Sequence, residues 1–199
     1  MTTRKFLTTK TMAKIAILAA IGFILMFLDF SLPFFPPFYK LDFSECAILI
    51  GGFALGPLAA VVIEALKILL LIIFRGSNTA YVGECAAFIM GSALCVPAAI
   101  YYRRHKTRKG AMIGMVIGTV CLAVAGVITN YLVLLPAYSY FYQMPMDVII
   151  GMGSAIVPLI KDKLTFVLFA TLPFNILKGV VVSCITFFVY KRISFLLKK

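Results

Sequence analysis

The feature that most constrains this chain is one dense run of basic residues, Arg103 to Lys109, set between long apolar stretches. Short loops rich in Lys and Arg stay on the cytoplasmic side of a membrane. The other basic clusters lie at the two chain ends, around Lys5 and around Lys198. If all three clusters are cytoplasmic, the chain must cross the membrane an even number of times before the central run and an even number after it.

The composition fits a chain that lies within a membrane. Hydrophobic residues make up 63% of the sequence and the mean hydropathy is +1.07, so there is too little polar surface to cover a soluble globule of this size. The net charge of +12 is therefore interpreted as a topology signal and as attraction to anionic lipid headgroups, with nucleic acid a poor alternative partner. The sequence predicts an all-α integral membrane protein.

The first half of the chain must cross the membrane an even number of times, but its long apolar stretches do not give an even number at first sight. A first span over residues 11–32 is long enough to cross about 30 Å of hydrocarbon, and the proline-rich segment 34–40 that follows makes an outside loop. One helix over residues 42–74 would then put the basic run outside. The turn residues of Gly51 to Pro57 resolve this by splitting the stretch into a short helix, residues 42–55, and a helix over residues 57–74.

The second half adds three further spans. They cover residues 82–102, 111–135 and about 164–190, and the last ends in a basic cluster. Residues 136–163 are too interrupted by Tyr, Pro and Gly to span, and we expect them to fold back as a lid outside. The sequence thus predicts one domain, residues 1–199, with six transmembrane helices, a short second helix, a long outside loop before helix six, and cytoplasmic N- and C-termini.

Several kinds of chemistry find no support in the sequence. The five cysteines show no C-x-x-C spacing, and His105 in the basic run is the single histidine, so neither a metal site nor a Ser-His-Asp triad is expected. The glycine clusters lack the strand-to-helix context of a nucleotide loop. We therefore expect no catalytic residues, no metal and no resident cofactor, and any uphill transport must draw energy from a partner or an ion gradient.

Polar side chains inside apolar spans are costly in lipid, and they are the candidate functional groups. Glu64 and Lys67 lie three residues apart, on one helix face, and form either a structural ion pair or a coupling element. Asn175 and Lys178 are also three residues apart, after Pro173, which should loosen the helical turn before them.

The predicted topology brings several of these groups to one level. Asp42, Glu84, Asn130, Asn175 and Lys178 all fall toward the outer leaflet, although a carboxylate that begins a helix, such as Glu84, is equally explained by capping. The aromatic side chains at the same level are Phe34, Phe35, Phe38, Tyr39, Tyr138, Tyr140, Phe141 and Tyr142. Together they predict a pocket with flat apolar walls and a few fixed hydrogen-bonding groups.

The order of short motifs along the chain resembles a known family. The motifs are Lys40-Leu41-Asp42-Phe43-Ser44-Glu45, Gly51-Gly52-Phe53-Ala54-Leu55-Gly56-Pro57, Gly83-Glu84, Asn130-Tyr131 and Pro173-Phe174-Asn175-Ile176-Leu177-Lys178-Gly179. In this order they resemble the riboflavin-specific substrate-binding subunits of energy-coupling-factor (ECF) transporters. The likeness covers essentially the whole chain.

The resemblance implies a multi-pass protein of a bacterial cell membrane that captures riboflavin from outside. It implies as partners a shared transmembrane subunit and two cytoplasmic ATPases. The implied substrate-binding residues are Asn130, Asn175 and Lys178, with Tyr39, Leu41, Asp42, Thr79 and Glu84 in the first outside loop and at the start of the fourth helix. It also implies that small residues of the first helix, Ala16 and Ala20, dock the shared subunit.

The chemistry of the candidate residues suits such a ligand. The flavin ring has one edge with an N–H donor between two carbonyl acceptors, so an Asn amide can accept and donate while a Lys ammonium donates. Asp42, Thr79 and Glu84 could serve the ribityl hydroxyls. Two alternatives remain: a subunit of this architecture for another vitamin or flavin, and a membrane-embedded enzyme using Glu64 or Glu84, against which the lack of in-membrane histidine counts.

Overall fold

A computed structural model describes residues 8–77, 80–141 and 143–198 of the protein, with side chains up to residue 190. Its described part consists of helices, the loops that join them and one pair of two-residue strands. Helix α1 covers Thr9–Met26, strands β1 and β2 cover Phe30–Ser31 and Lys40–Leu41, and helices α2 to α4 cover Ser44–Leu55, Pro57–Arg75 and Val82–Arg104. Helix α5 covers Arg108–Phe141 and α6 covers Met146–Ser154. Helix α7 consists of Lys163–Phe166, Val167–Thr171 and Leu172–Lys198.

Five of the described helices, α1, α3, α4, α5 and α7, are long and apolar enough to cross a membrane, and α2 is a shorter apolar helix. The all-α membrane class is therefore confirmed. Three predicted boundaries were wrong. The first helix ends at Met26 instead of continuing to residue 32, the fifth continues beyond residue 135 to Phe141, and the last continues beyond residue 190 to Lys198.

The predicted division of residues 42–74 into two helices is confirmed. Gly56 separates α2 from α3 with a φ of 106°, a conformation that only glycine adopts readily, and Pro57 opens α3. Gly52 lets the helices approach, because a Cβ there would lie 3.2 Å from the Ala60 Cβ and 3.0 Å from the Ala99 Cβ.

Aromatic contacts show which helix ends lie together. The Phe53 ring lies 4.7 Å from the Tyr102 ring and 5.4 Å from the Tyr190 ring, measured between centroids. These residues bring the last turns of α2 and α4 close to α7, beside the basic loop that joins α4 to α5. Because α2 ends there, its first residue lies toward the opposite end of the bundle.

Helices α4 and α5 pack closely through glycine. A Cβ at Gly114 would meet the Ala98 carbonyl oxygen at 2.8 Å, and a Cβ at Gly118 would overlap the Leu94 carbonyl oxygen. Small residues at such spacing are the usual means by which helices approach in lipid, where no hydrophobic force favours helix association over lipid contact. This contact fixes the position of α5.

Two π-helical turns interrupt α5 and α7, at Asn130–Leu134 and at Val167–Thr171. Each is followed by Leu-Pro, with the prolines at Pro136 and Pro173. A proline lacks the N–H that would bond four residues back, and its ring crowds that carbonyl, so a wider turn relieves the conflict. The predicted loosening before Pro173 is confirmed.

The segment predicted as an outside lid folds back, but as a packed layer with its own helix. Residues 136–141 remain in α5, and α6 follows. Ile149 and Ile160 are each only 2% exposed and cluster with Leu135, Phe166 and the first-loop residue Tyr39. The segment therefore supports the loop between α1 and α2 from behind.

Candidate functional site

A cavity of about 270 Å³ lies where the α1–α2 loop meets α4, α5 and α7. The polar and charged side chains on its wall are Asp29, Tyr39, Lys40, Asp42, Glu45, Arg75, Asn130, Tyr138, Asn175 and Lys178. Its apolar wall includes Phe38, Leu122 and Phe174. An enclosure with aromatic surfaces and a few converging polar groups is the usual form of a small-molecule site.

Tyr39 connects the loop to both π-helical turns. Its hydroxyl donates to Asn130 Oδ1 at 3.1 Å and is hydrogen-bonded to the Thr171 hydroxyl at 2.5 Å. Its ring stacks on Phe174 with centroids 4.9 Å apart. Burial raises the pKa of the Tyr39 phenol above its usual value, outweighing the lowering effect of Thr171, so the phenol remains a donor.

The loop itself is held by a short strand pair. Phe30 pairs with Leu41 and Ser31 with Lys40 in antiparallel register. The Ser31 hydroxyl donates to the Pro37 carbonyl at 2.9 Å, and Lys40 forms an exposed ion pair with Asp29. The prolines between the strands keep this connection from becoming helical, and Tyr39 is thereby presented to the bundle.

The two asparagines are fixed by their own helices. Asn130 Nδ2 donates to the Gly126 carbonyl at 2.8 Å, and Asn175 Nδ2 donates to the Thr171 carbonyl at 2.9 Å. Gly126 also borders the Asn175 amide so closely that a Cβ there would overlap it. Both amides are therefore anchored before any ligand arrives, which limits the entropy cost of binding.

Lys178 lies between two carboxylates. Its Nζ is 2.9 Å from Asp42 Oδ2 and 3.2 Å from Glu45 Oε1. Asp42 also accepts from the Ser44 N–H at 2.9 Å and from the Ser44 hydroxyl, at the start of α2. Burial acts to raise the pKa of the Asp42 carboxyl, but the Lys178 and Lys67 ammonium groups and the hydrogen bonds lower it more. The net pKa lies below its usual value, and Asp42 is ionised.

The predicted Glu64–Lys67 pair is present and deeply buried. Lys67 Nζ is 2.8 Å from Glu64 Oε1, and the two side chains are 1% and 0% exposed. Lys67 also donates to the Ser44 hydroxyl at 3.1 Å and lies 3.7 Å from Glu45 Oε1. The pair is thus joined, through Glu45, to the charged groups of the cavity.

Five of the predicted binding residues meet at this cavity: Tyr39, Asp42, Asn130, Asn175 and Lys178. Leu41 lies behind the wall, 2% exposed in the core cluster around Tyr39. Glu84 lies in the first turn of α4, where Oε2 accepts from the Ser77 hydroxyl at 2.8 Å, while its neighbours Gly83 and Ala87 line the cavity. Thr79 lies outside the described residues.

Asp42 and Lys178 were predicted to serve different parts of the ligand, the ribityl chain and the ring. In the structure their charged groups form one ion pair, so they lie side by side on the cavity wall. A sequence span does not reveal which carboxylate a helix will face after folding. Which part of a ligand each group contacts stays a prediction.

Several residues of the site were not predicted, and three of them contact predicted ones. Glu45 lines the cavity and contacts Lys67 and Lys178, Thr171 bonds to Tyr39, and Phe174 stacks on Tyr39. Glu45 could have been found, since it lies three residues after Asp42, about one helical turn away. No sequence signal distinguished Thr171 from the other hydroxyl residues.

A larger groove, about 590 Å³, lies between α5 and α7. Its wall includes Val116, Val120 and Val180, which are about half exposed or more and belong to the surface that a membrane would cover. It has almost no polar group that could orient a ligand. The smaller cavity is therefore the candidate site.

The predicted docking residues Ala16 and Ala20 lie on the surface of α1 and form an alanine stripe with Ala13. All three are exposed, whereas Ala19 is buried at 1% exposure. The stripe therefore faces away from the bundle interior and from the cavity.

The chain was compared with known proteins. A family model for the substrate-specific component of ECF transporters matches residues 10–190. The riboflavin transporter FmnP of Bacillus subtilis (strain 168) is 30% identical over 93% of this chain and 92% of its own length. The riboflavin transporter RibU of Staphylococcus aureus (strain TCH60) is 31% identical over 96% of this chain and 93% of its own.

A solved structure, described as the S component of a bacterial ECF transporter, superposes with a TM-score of 0.72 and 31% identity, covering 94% of this chain and 97% of that one. Family, relatives and structure agree along nearly the full length, from α1 to α7. This chain belongs to the substrate-specific components of ECF transporters.

Proposed function

We propose that this protein is the riboflavin-binding subunit of an ECF-type vitamin transporter and that the cavity around Tyr39, Asn130, Asn175 and Lys178 holds the ligand. The observation that carries the proposal is this set of fixed polar groups on an aromatic wall, in a chain that matches named riboflavin transporters over nearly its whole length. The relatives are transporters, and the chain is a transport protein rather than an enzyme using Glu64 or Glu84.

The ring of riboflavin would lie against the aromatic wall. The imide edge needs one acceptor for its N–H and donors for its two carbonyls. Asn130 and Asn175 project from α5 and α7, and Lys178 follows Asn175 by three residues, about one helical turn. A site whose polar groups are fixed in this way rejects analogues without that edge, because its own groups would be left unpaired.

Lys178 would contribute one hydrogen bond to the ligand. An ammonium has three N–H donors, and contacts with Asp42 and Glu45 occupy two of them in the described part of the chain. The remaining donor is available to a ligand carbonyl. Glu84 is proposed to help close the mouth of the cavity, because its neighbours Gly83 and Ala87 line the wall. Leu41 would support Tyr39 from behind, and Thr79 stays a candidate from the sequence alone.

The proposed topology has six crossings with both termini in the cytoplasm. Helix α2 has 12 residues and is about 18 Å long, shorter than the hydrocarbon core, yet it carries the chain from the cavity end to the basic end. The loop around Lys106 lies at that basic end, which the positive-inside rule assigns to the cytoplasm. The cavity then opens outside, in the cell membrane of a bacterium.

The proposed partners are a shared transmembrane subunit and two cytoplasmic ATPases. Family membership implies an ECF module, and the exposed alanine stripe of α1 offers it a smooth surface. The surrounding lipid contacts the rest of the apolar surface.

The direct test is purification of the protein in detergent from cells grown with riboflavin. We expect the preparation to carry the visible absorption of a flavin and, after removal of the ligand, to quench the fluorescence of added riboflavin in a saturable way. A colourless preparation that does not quench riboflavin, but binds another vitamin, would overturn the ligand assignment while leaving the family unchanged.

A further inference from the structure

A chain of five charged side chains, four of them buried and Lys178 partly buried, extends from the cavity into the bundle. In order it contains Asp42, Lys178, Glu45, Lys67 and Glu64, so negative and positive groups alternate. The first three line the cavity, and the last two do not. Each lysine thus lies between two carboxylates.

Both lysine ammonium groups contact the same carboxylate oxygen of Glu45. Glu45 Oε1 is 3.2 Å from Lys178 Nζ and 3.7 Å from Lys67 Nζ. The far end is tightly enclosed, since a Cβ at Gly91 would lie 2.5 Å from Glu64 Oε1, and the Lys67 stem packs against Gly22. Glu64 Oε2 and Glu45 Oε2 have no hydrogen-bond partner in the described part of the chain. The carboxylates therefore depend on the two ammonium groups for compensation.

We infer that Lys67 is a positioning residue for the ligand, acting through Glu45 on Lys178. This inference rests on the proposed function. Lys67 compensates the Glu64 carboxylate and shares the Glu45 carboxylate, so that Lys178 keeps a donor for the ligand. Without Lys67, the buried carboxylates of Glu45 and Glu64 would both attract the Lys178 ammonium, in addition to Asp42. In a low-dielectric interior such attraction is strong.

The test compares three variants with the wild type: Lys67→Met, Glu64→Gln, and the double variant. Lys67→Met removes the compensation, and we expect riboflavin affinity to fall about tenfold or more. Glu64→Gln removes one carboxylate and keeps Lys67, so its affinity should stay close to that of the wild type. The double variant removes one charge of each sign, and we expect it to regain most of the lost affinity.

The pH dependence separates charge balance from a structural role. Lowering the pH from about 7.5 to about 5.5 should restore affinity in Lys67→Met, because protonation of a surplus carboxylate replaces the missing compensation. In the described part of the chain, the other titratable groups beside this charge chain are the thiols of Cys46 on α2 and Cys95 on α4, and an ordinary thiol titrates well above this pH range. Affinity in the double variant should change little over the same range.

Each outcome decides the inference. Wild-type affinity in folded Lys67→Met would overturn it, and so would an equal loss in the single and double variants with no recovery at low pH, which is the pattern of a purely structural residue. If Lys67→Met does not fold, Glu64→Gln and the double variant carry the test, and a tenfold or larger gap in affinity between them, about 1.4 kcal/mol, would overturn it. Failure of the wild type to bind riboflavin would overturn the proposed function and this inference with it.

Discussion

At the scale of single residues, Tyr39 holds the site together, because one hydroxyl connects a loop to the π-helical turns of two helices. Its ring and its hydroxyl make different kinds of contact. The ring stacks on Phe174, and the hydroxyl fixes Asn130 Oδ1 and the Thr171 hydroxyl. A change that removes the hydroxyl alone therefore isolates the hydrogen bonds.

We predict that Tyr39→Phe weakens riboflavin binding by about 1–3 kcal/mol, the cost of leaving buried polar partners unpaired. The stacking on Phe174 is kept, so the free energy of unfolding of the ligand-free protein should fall by less than the free energy of ligand binding. Fluorescence titration measures the first and thermal unfolding the second. Tyr140→Phe is the matched control, since Tyr140 is 78% exposed. Unchanged affinity in Tyr39→Phe would show that Asn130 needs no such support.

At the scale of elements, the α4–α5 contact determines where Asn130 lies. Gly118→Ala places a methyl group on the Leu94 carbonyl, and overpacking of this kind costs about 1–3 kcal/mol. We expect a lower thermal midpoint in detergent and weaker ligand binding. Gly151→Ala in α6 is the matched control, because a Cβ there meets nothing within 4 Å. Equal thermal midpoints for the two variants would mean that α4 and α5 can move apart by the width of a methyl group without a loss of stability.

The helices and the split at Gly56 could be predicted from the sequence because hydropathy, glycine and proline are local signals. The site was predictable only in part. In-membrane Asn130, Asn175 and Lys178 stand out because polar groups are rare in spans. The pairing of Lys178 with Asp42 was not predictable, since it depends on how α7 faces the start of α2. The extension of α5 to Phe141 was not predicted because residues 136–163 are interrupted by Tyr, Pro and Gly, whereas in the structure a π-helical turn accommodates Pro136.

At the scale of the whole molecule, the proposed orientation can be tested by single cysteines in a background without the five native ones. Leu58→Cys, near the Gly56 turn, should react with a membrane-impermeant reagent from the cytoplasmic side, since Leu58 is 58% exposed. Lys161→Cys, at the cavity end, should react from outside. Reaction of Leu58→Cys from outside, or of Lys161→Cys from the cytoplasmic side, would contradict six crossings.

The docking surface gives a second prediction at this scale. Ala16→Trp or Ala20→Trp should leave riboflavin binding by the isolated protein intact, because both side chains are exposed on α1. Uptake driven by ATP and co-purification with the shared subunit should fall together. Val116→Trp, on the exposed face of α5, is the matched control. Uptake that survives both alanine substitutions would place the docking surface elsewhere.

The central claim is that the cavity around Asn175 and Lys178 binds riboflavin, and titration by flavin fluorescence quenching tests it most directly. Asn175→Ala and Lys178→Ala should each weaken binding by about 1.5–3 kcal/mol, with the folded fraction checked because Lys178 also compensates Asp42 and Glu45. Val180→Ala, on the exposed side of the same helix, should bind as the wild type does. Saturable quenching by the wild type and Val180→Ala, with weaker binding in the two site variants, is the predicted result. Wild-type affinity in both site variants would contradict the claim.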